Sequence, residues 1–340
     1  MCLNKKSVSF LLGAGFSVPA GYPTASEVGK KIVNTKLSDL YVAPNGTLAL
    51  NKGSLKQSKF ETKDVQCLLD FIEFYNKFCG NENFDYEKFY DFYKLCCTRQ
   101  ECFRNDIFQW DKYFQQFVAL CIDDKRKSDF RRYAPFVNNI NELSQQCVVN
   151  VHSLNHDDLF EHLFIGNFSD GFTTEDSPYN NNIPVFRDKY DSPIRLFKLH
   201  GSLDQYTYFY QTRKRDVDYI KCNGKVSLSE VSNRDDNNAL CFHLLVPDFL
   251  TGSVNKIARY GERHYKILFN HFWKNLSQAK TLVVIGYGGR DKKINEYLLD
   301  YSKKAEVFIY DKKPGSDLTQ LSKKLNATLI EGNFLDKFSI

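Results

Sequence analysis

Several short polar or glycine-bearing segments of this chain follow apolar runs, and each carries residue types suited to chemistry. Asn155 lies in Leu154-Asn155-His156-Asp157-Asp158, just past an apolar run ending near Val151. His200 lies in Leu199-His200-Gly201-Ser202, just past Ile194–Leu199. An amide can donate and accept hydrogen bonds at once. A neutral imidazole, with an unperturbed pKa of about 6.5, can take a proton near neutral pH. Asp157, two residues after Asn155, could orient these groups or stabilise positive charge. Each has a plain alternative: Asn155 as a turn or cap residue, His200 as a satisfied structural histidine.

Glycines supply the other half of the set. Gly13-Ala14-Gly15-Phe16-Ser17, with Gly21 to follow, ends the run Val8–Leu12. Such a loop lets backbone approach a pyrophosphate, and a helix start beyond it offers free N–H groups. The spacing is not G-x-G-x-x-G, because position 18 is Val18. Ile285-Gly286-Tyr287-Gly288-Gly289-Arg290-Asp291 lies between an apolar run and a helix, where Asp291 could cap that helix or the glycines could face a ligand. Asp311 follows Val307–Tyr310, an acid at a strand end, where a ribose diol is often held and a plain turn residue is equally at home.

The elements that must position these residues are legible from periodicity. Short apolar runs at Val8–Leu12, Cys147–Val151, Ile194–Leu199, Cys241–Val246, Thr281–Ile285 and Val307–Tyr310 read as strands. Helical segments at Ile257–Leu276 and Lys293–Tyr301 lie between them, and Thr24-Ala25-Ser26-Glu27 has the spacing of a capping box. Alternating strands and helices predict an α/β fold, a Rossmann-like parallel sheet with helices on both faces, where ligands bind beyond the carboxyl ends of the strands. Residues 41–62 are polar and read as a loop. Asp64–Cys79, Tyr86–Cys97 and the series Ile107, Trp110, Phe114, Phe117, Cys121 are helical, so 41–144 reads as an aromatic-rich helical insertion. Its aromatics are its own small core or, in part, an oligomer interface. Residues 202–240 read as a smaller second insertion. The core is then 1–40 with 145–201 and 241–340.

Composition narrows the classes further. The 340 residues are 42% hydrophobic and carry a net charge of +5 in short basic clusters, which gives no indication of nucleic-acid binding. No apolar run is long enough to span a membrane, and the N-terminus lacks a signal-peptide pattern, so a cytoplasmic chain is expected. Ten cysteines are scattered without a Cys-x-x-Cys, so no metal site is expected and buried thiols in a reducing compartment are.

The order of these segments resembles the sirtuin-like family, and more closely its bacterial branch in antiviral defence, whose members hydrolyse NAD. The matching segments span residues 8 to 311. The resemblance implies that Asn155 and His200 are catalytic, with Asp157 as the acid beside them. It further implies that NAD, as substrate, is met by Gly13, Ala14, Gly15, Phe16, Ser17 and Thr24 on one side and by Gly286, Tyr287 and Asp311 on the other. Deacylating sirtuins carry a four-cysteine zinc module after the catalytic histidine. Here that interval holds only Cys222 and Cys241, so no zinc is expected. Thr24-Ala25-Ser26 stands where those enzymes have Asp-Phe-Arg, Gly288 where the defence branch usually has serine, and His156 in place of a usual tyrosine. The expected activity is therefore an NAD glycohydrolase, kept in check as a homo-oligomer or by a partner ATPase or sensor protein. A catalytically silent NAD or ADP-ribose sensor is the alternative, and a protein deacylase a further one.

Overall fold

The computed structural model describes residues 7–43, 47–51, 62–78, 84–98, 104–123, 130–175, 177, 183–209, 217–222, 233–234, 240–241 and 246–338. Six parallel strands form the central sheet: β1 (Ser7–Leu12), β2 (Val148–Ser153), β3 (Ile194–Lys198), β4 (Ala279–Ile285), β5 (Glu306–Asp311) and β6 (Thr328–Glu331). Their spatial order is β6-β5-β4-β1-β2-β3, the strand order of the Rossmann fold, which reverses between β1 and β4.

Side-chain alternation along the strands builds two cores. Phe10, Leu12, Val149, Val151, Val283 and Ile285 face one side, packed with Phe136 and Ile140 of the helix Ala134–Gln146. Leu11, Phe197, Leu282, Val284 and Ile309 face the other, packed with Leu268 and Phe272 of the helix Arg263–Gln278 and Leu298 of the helix Lys292–Tyr301. The predicted parallel sheet with helices on both faces is the observed one.

The aromatic-rich helices Lys63–Phe78, Tyr86–Thr98 and Arg104–Ile122 form a third cluster with Val28 and Ile32 of the helix Ala25–Asn34. Phe89 and Tyr90 lie 5.3 and 5.4 Å from Phe114, ring to ring. Most of these aromatics thus serve their own core. The capping box that starts Ala25–Asn34 is present: Thr24 Oγ1 accepts from Glu27 N, and the Glu27 carboxylate accepts from Thr24 N.

Four elements depart from the sequence reading. The polar 41–62 segment, read as a loop, includes a short antiparallel pair, Leu40–Val42 with Leu48–Leu50, although 44–46 and 52–61 lie outside the described residues. Of the expected strand Cys241–Val246, Cys241 pairs with Asn233 outside the parallel sheet, and 242–245 lie outside the described residues. The expected helix Ile257–Leu276 is two helices, Val254–Arg259 and Arg263–Gln278, broken around Gly261. A five-stranded antiparallel sheet, ordered Pro247–Phe249, Gly201–Phe209, Val217–Lys221, Val185–Lys189 and Gly171–Thr173, is not foreseen by the sequence pattern. Its strands are short or half polar, and their pairing is non-local.

One aromatic ties the first loop to the core. Phe16 is 1% exposed, with Tyr133, Phe136 and Phe334 at 5.4, 5.2 and 5.4 Å. Phe16→Ala is expected to lower stability by about 3–5 kcal/mol, read as a fall in the urea midpoint. A midpoint equal to that of the parent chain contradicts this packing role.

Candidate active site

One transverse row of the sheet explains how distant segments meet. Ile330, Tyr310, Ile285, Leu12, Ser153 and Lys198 are successive register partners across β6, β5, β4, β1, β2 and β3. Asp311, Gly286 and Gly13 come one residue after that row, and Asn155 and His200 two residues after it. Parallel strands in register therefore deliver all five to the same edge. The row crosses the β1/β4 reversal, where ligands of such sheets bind.

The two glycine loops clamp each other at that point. Gly13 N donates to Ile285 O at 2.9 Å and Gly15 N to Gly286 O at 3.0 Å. A Cβ on Gly13 would lie 2.6 Å from Gly286 O, and one on Gly286, whose φ is +62°, would lie 2.4 Å from Gly15 Cα. Loop-to-loop packing thus accounts for these glycines. Within the second loop it is Gly288 that faces open space, with nothing within 4 Å of where a Cβ would stand.

Beyond β1 the chain turns at once into a helical turn, Ala14–Ser17. This aims Ser17 inward, where its hydroxyl accepts from Asn155 Nδ2 at 3.0 Å and donates to Asp157 Oδ1 at 3.0 Å. Asn155 Nδ2 also donates to Gly13 O at 2.9 Å. Both amide hydrogens are therefore committed to the protein, which leaves Oδ1 as the group able to accept from a ligand or water. From sequence, Asn155 could serve a ligand as donor and acceptor; the structure leaves it the acceptor role. Asp157 also accepts from Leu159 N at 3.1 Å, and Lys198 donates to its carbonyl oxygen. Burial pushes the Asp157 carboxyl up, opposed by Lys198. Asp157 thus reaches the Asn155 amide in one step, through the Ser17 hydroxyl.

His200 sits where the parallel sheet passes into the antiparallel one. Gly201 follows with φ +77°, and a Cβ there would meet Asp248 O at 2.3 Å, so the sharp turn requires glycine. The side chain is 6% exposed. Its Nε2 lies 3.2 Å from Tyr260 Oη and 3.6 Å from Asp291 Oδ2, and the His156 ring centroid is 6.5 Å away. Burial drives the His200 pKa well below the ordinary value, helped by the charge of Lys256 and by His156. The imidazole is thus neutral at pH 7, as a proton acceptor must be. This differs from the unperturbed value assumed from sequence, because burial in the sheet junction disfavours the cation.

The same burial acts on His152, His156 and His264, each lowered to about 3. Unfolding exposes them to protonation, so below pH about 6.5 the unfolded state binds more protons and stability falls as pH falls, by about 1.4 kcal/mol per unit per ring. The ring signals of these three residues and of His200 are expected not to titrate between pH 7.5 and 5 by NMR. A midpoint near 6.5 for any of them contradicts its burial as a neutral ring.

The remaining expected residues divide. Thr24 and Glu27 satisfy each other at the helix start. The Phe16 ring is in the core. The Tyr287 hydroxyl lies 2.9 Å from Asp291 O and 2.8 Å from Asn295 Oδ1 and shares its one proton between them, which pins the second loop to the helix Lys292–Tyr301. Asp311 Oδ1 accepts from Lys313 N at 2.9 Å in a turn. Tyr260 and Asp291, which face His200, do not stand out from sequence as site residues. The N-cap signal of Asp291 is visible there; its second oxygen reaching His200 is not.

Among the described residues no three or more His, Cys, Asp or Glu are grouped to hold a metal, and no helix is long and apolar enough to cross a membrane. No family model and no curated protein matches the chain. Among solved structures it is similar to one from work on the mechanism and regulation of Sir2 enzymes, at 13% identity over 98% of this chain and 91% of that one, TM-score 0.45. A complex of a Sir2 homolog with NAD is similar at 12% identity over 98% and 88%, TM-score 0.43. Sir2Tm bound to a propionylated peptide is similar at 14% over 98% and 90%, TM-score 0.41. At these identities and scores, what the chain does must be read from its own residues.

Proposed function

We infer that the chain is an NAD glycohydrolase, cleaving the bond between nicotinamide and ribose to give nicotinamide and ADP-ribose. The observation that carries this reading is the pairing of Asn155 and His200, each two residues past partnered positions on adjacent strands. Beside them the Gly13 carbonyl and Ser17 fix the amide.

The chemistry asks little more of the protein. Nicotinamide leaves NAD as a neutral molecule, so no general acid is needed. What is needed is support for an oxocarbenium-like ribose and an aligned water. Asn155 Oδ1 accepts a hydrogen bond from that water or from a ribose hydroxyl. Neutral His200 takes the proton the water loses as its oxygen bonds to the ribose carbon, while the glycosidic electron pair departs with nicotinamide. Ser17 and Asp157 keep the amide from rotating.

The likeness of the motif order to the antiviral-defence branch of the sirtuin-like family extends this to an NAD-depleting effector of bacterial antiviral defence, and such an activity needs restraint. The core of 1–40, 145–201 and 241–340 carries the site. The layer formed by the helices Lys63–Phe78, Tyr86–Thr98 and Arg104–Ile122, the main part of the expected 41–144 insertion, exposes Phe74 and Phe78 at 51% and 66%. That layer is the surface through which a second copy, a partner ATPase or a sensor protein holds the enzyme in check. Product analysis with and without an acetylated peptide tests the reaction. Nicotinamide and ADP-ribose in equal amounts without peptide support hydrolysis; release that requires the peptide supports deacylation; saturable NAD binding without release supports a sensor.

A further inference from the structure

The break between the helices Val254–Arg259 and Arg263–Gln278 has a chemical result: Tyr260 lies in it and turns its hydroxyl to His200 Nε2 at 3.2 Å. From the other side comes the helix Lys292–Tyr301. Its N-cap Asp291 uses one oxygen twice, Oδ1 accepting from Lys293 N at 3.0 Å and Ile294 N at 3.1 Å. The other oxygen, Oδ2, faces the same Nε2 at 3.6 Å. Two elements therefore converge on one nitrogen of the ring. No hydrogen-bond partner of Nδ1 stands among the described residues.

We propose that Asp291 and Tyr260 are positioning residues that hold the His200 proton on Nε2 and leave Nδ1 as the acceptor for the water proton, an assignment that rests on the hydrolase reading above. A base oriented by a third group through its far nitrogen is a recurrent solution, because the orienter fixes the tautomer and stabilises the cation formed on proton transfer. The carboxylate suits both tasks. In the resting state it reaches Nε2–H through the Tyr260 hydroxyl, which accepts from the ring and donates to the carboxylate; after transfer to Nδ1 it faces an imidazolium with Oδ2 3.6 Å from Nε2. The other groups facing the ring oppose the cation: His156 and Lys256, whose ammonium is paired with Glu87 at 2.6 Å. The site thus keeps the ring neutral until the proton arrives, and the Asp291 charge favours the state that follows.

Asp291→Asn separates this role from helix capping, since asparagine caps as well as aspartate. In the full-length chain it is expected to lower kcat about a hundredfold, the lower end of what a general base contributes. KM should stay within about twofold, because substrate binding is untouched. The acid limb of the pH profile should move to lower pH, as the imidazolium loses its counter-charge. Asp291→Glu should recover part of the loss. An Asp291→Asn enzyme with parental kcat and an unmoved pH profile overturns the proposal. The second measurement does not need turnover: nitrogen NMR of the His200 ring in the NAD-free protein. The parent should show the proton on Nε2, and Asp291→Asn or Tyr260→Phe a mixture of tautomers. A proton on Nδ1 in the parent, or a tautomer unmoved in both variants, overturns it. If the parent releases no nicotinamide, the hydrolase reading falls, and the ring spectrum alone decides whether these residues position His200.

Discussion

Replacing His200 by alanine is expected to lower nicotinamide release by about 10²–10⁴-fold, the range that a positioned general base contributes. The residue is at the junction of two sheets, yet its backbone does the structural work there: His200 O accepts from Leu250 N at 2.7 Å whatever the side chain. The fold should survive, with an unchanged urea midpoint or a small loss, and NAD should still bind. Asn155→Ala should be as inactive but less stable. It removes the donor to Gly13 O and Ser17 Oγ, and a buried polar group left without its partner costs about 1–3 kcal/mol. Asn155→Asp keeps the shape and is no rescue, because a carboxylate would face the Gly13 carbonyl with no proton to share. Steady-state release and urea unfolding of the three variants check these outcomes. A His200→Ala enzyme as fast as its parent would remove the imidazole from the mechanism.

The second large effect is on the loop clamp. Gly286→Ala places a methyl 2.4 Å from Gly15 Cα and from Phe16 N, and these are backbone atoms that cannot swing aside. It also puts a side chain at φ +62°. Left-handed backbone costs a non-glycine residue about 1–2 kcal/mol, and overpacking adds about 1–3 kcal/mol. The expected loss is therefore about 2–5 kcal/mol, with activity falling as well, because the Gly13 carbonyl that orients Asn155 is moved. Gly288→Ala, in the same loop but with open space around the new methyl, should stay within about 0.5 kcal/mol of the parent. Equal urea midpoints for the two variants would show that the loops do not depend on this contact.

Much of this arrangement is legible in residue order. Val8–Leu12, Thr281–Ile285 and Val307–Tyr310 announce themselves as buried strands because parallel strands covered on both faces are continuously apolar. Thr24 and Glu27 announce a helix start because their reciprocal hydrogen bonds are local. Asn155 and His200 stand out because each follows such a strand. Contacts made across space are not legible. The antiparallel strands Val185–Lys189 and Gly201–Phe209 carry mixed side chains, and only their distant partners make them strands. The glycines of the first loop read as an opening towards phosphate, whereas Gly286 fills the space beside Gly13 and Gly15. The break at Tyr260 falls inside a helical periodicity, and what it serves, a hydroxyl at His200, belongs to another element. The depressed pKa of His200 likewise follows from burial between two sheets, which no single segment encodes.

Cleavage of NAD at the Asn155–His200 site decides the functional reading. The most direct measurement is nicotinamide release from NAD, followed to completion at enzyme concentrations comparable to substrate, by the full chain and its Asn155→Ala and His200→Ala variants. The expected result is nicotinamide and ADP-ribose in equal amounts from the parent, without any peptide, and almost none from either variant. Release that persists in both variants, or a parent that binds NAD and leaves it intact under these conditions, would contradict it.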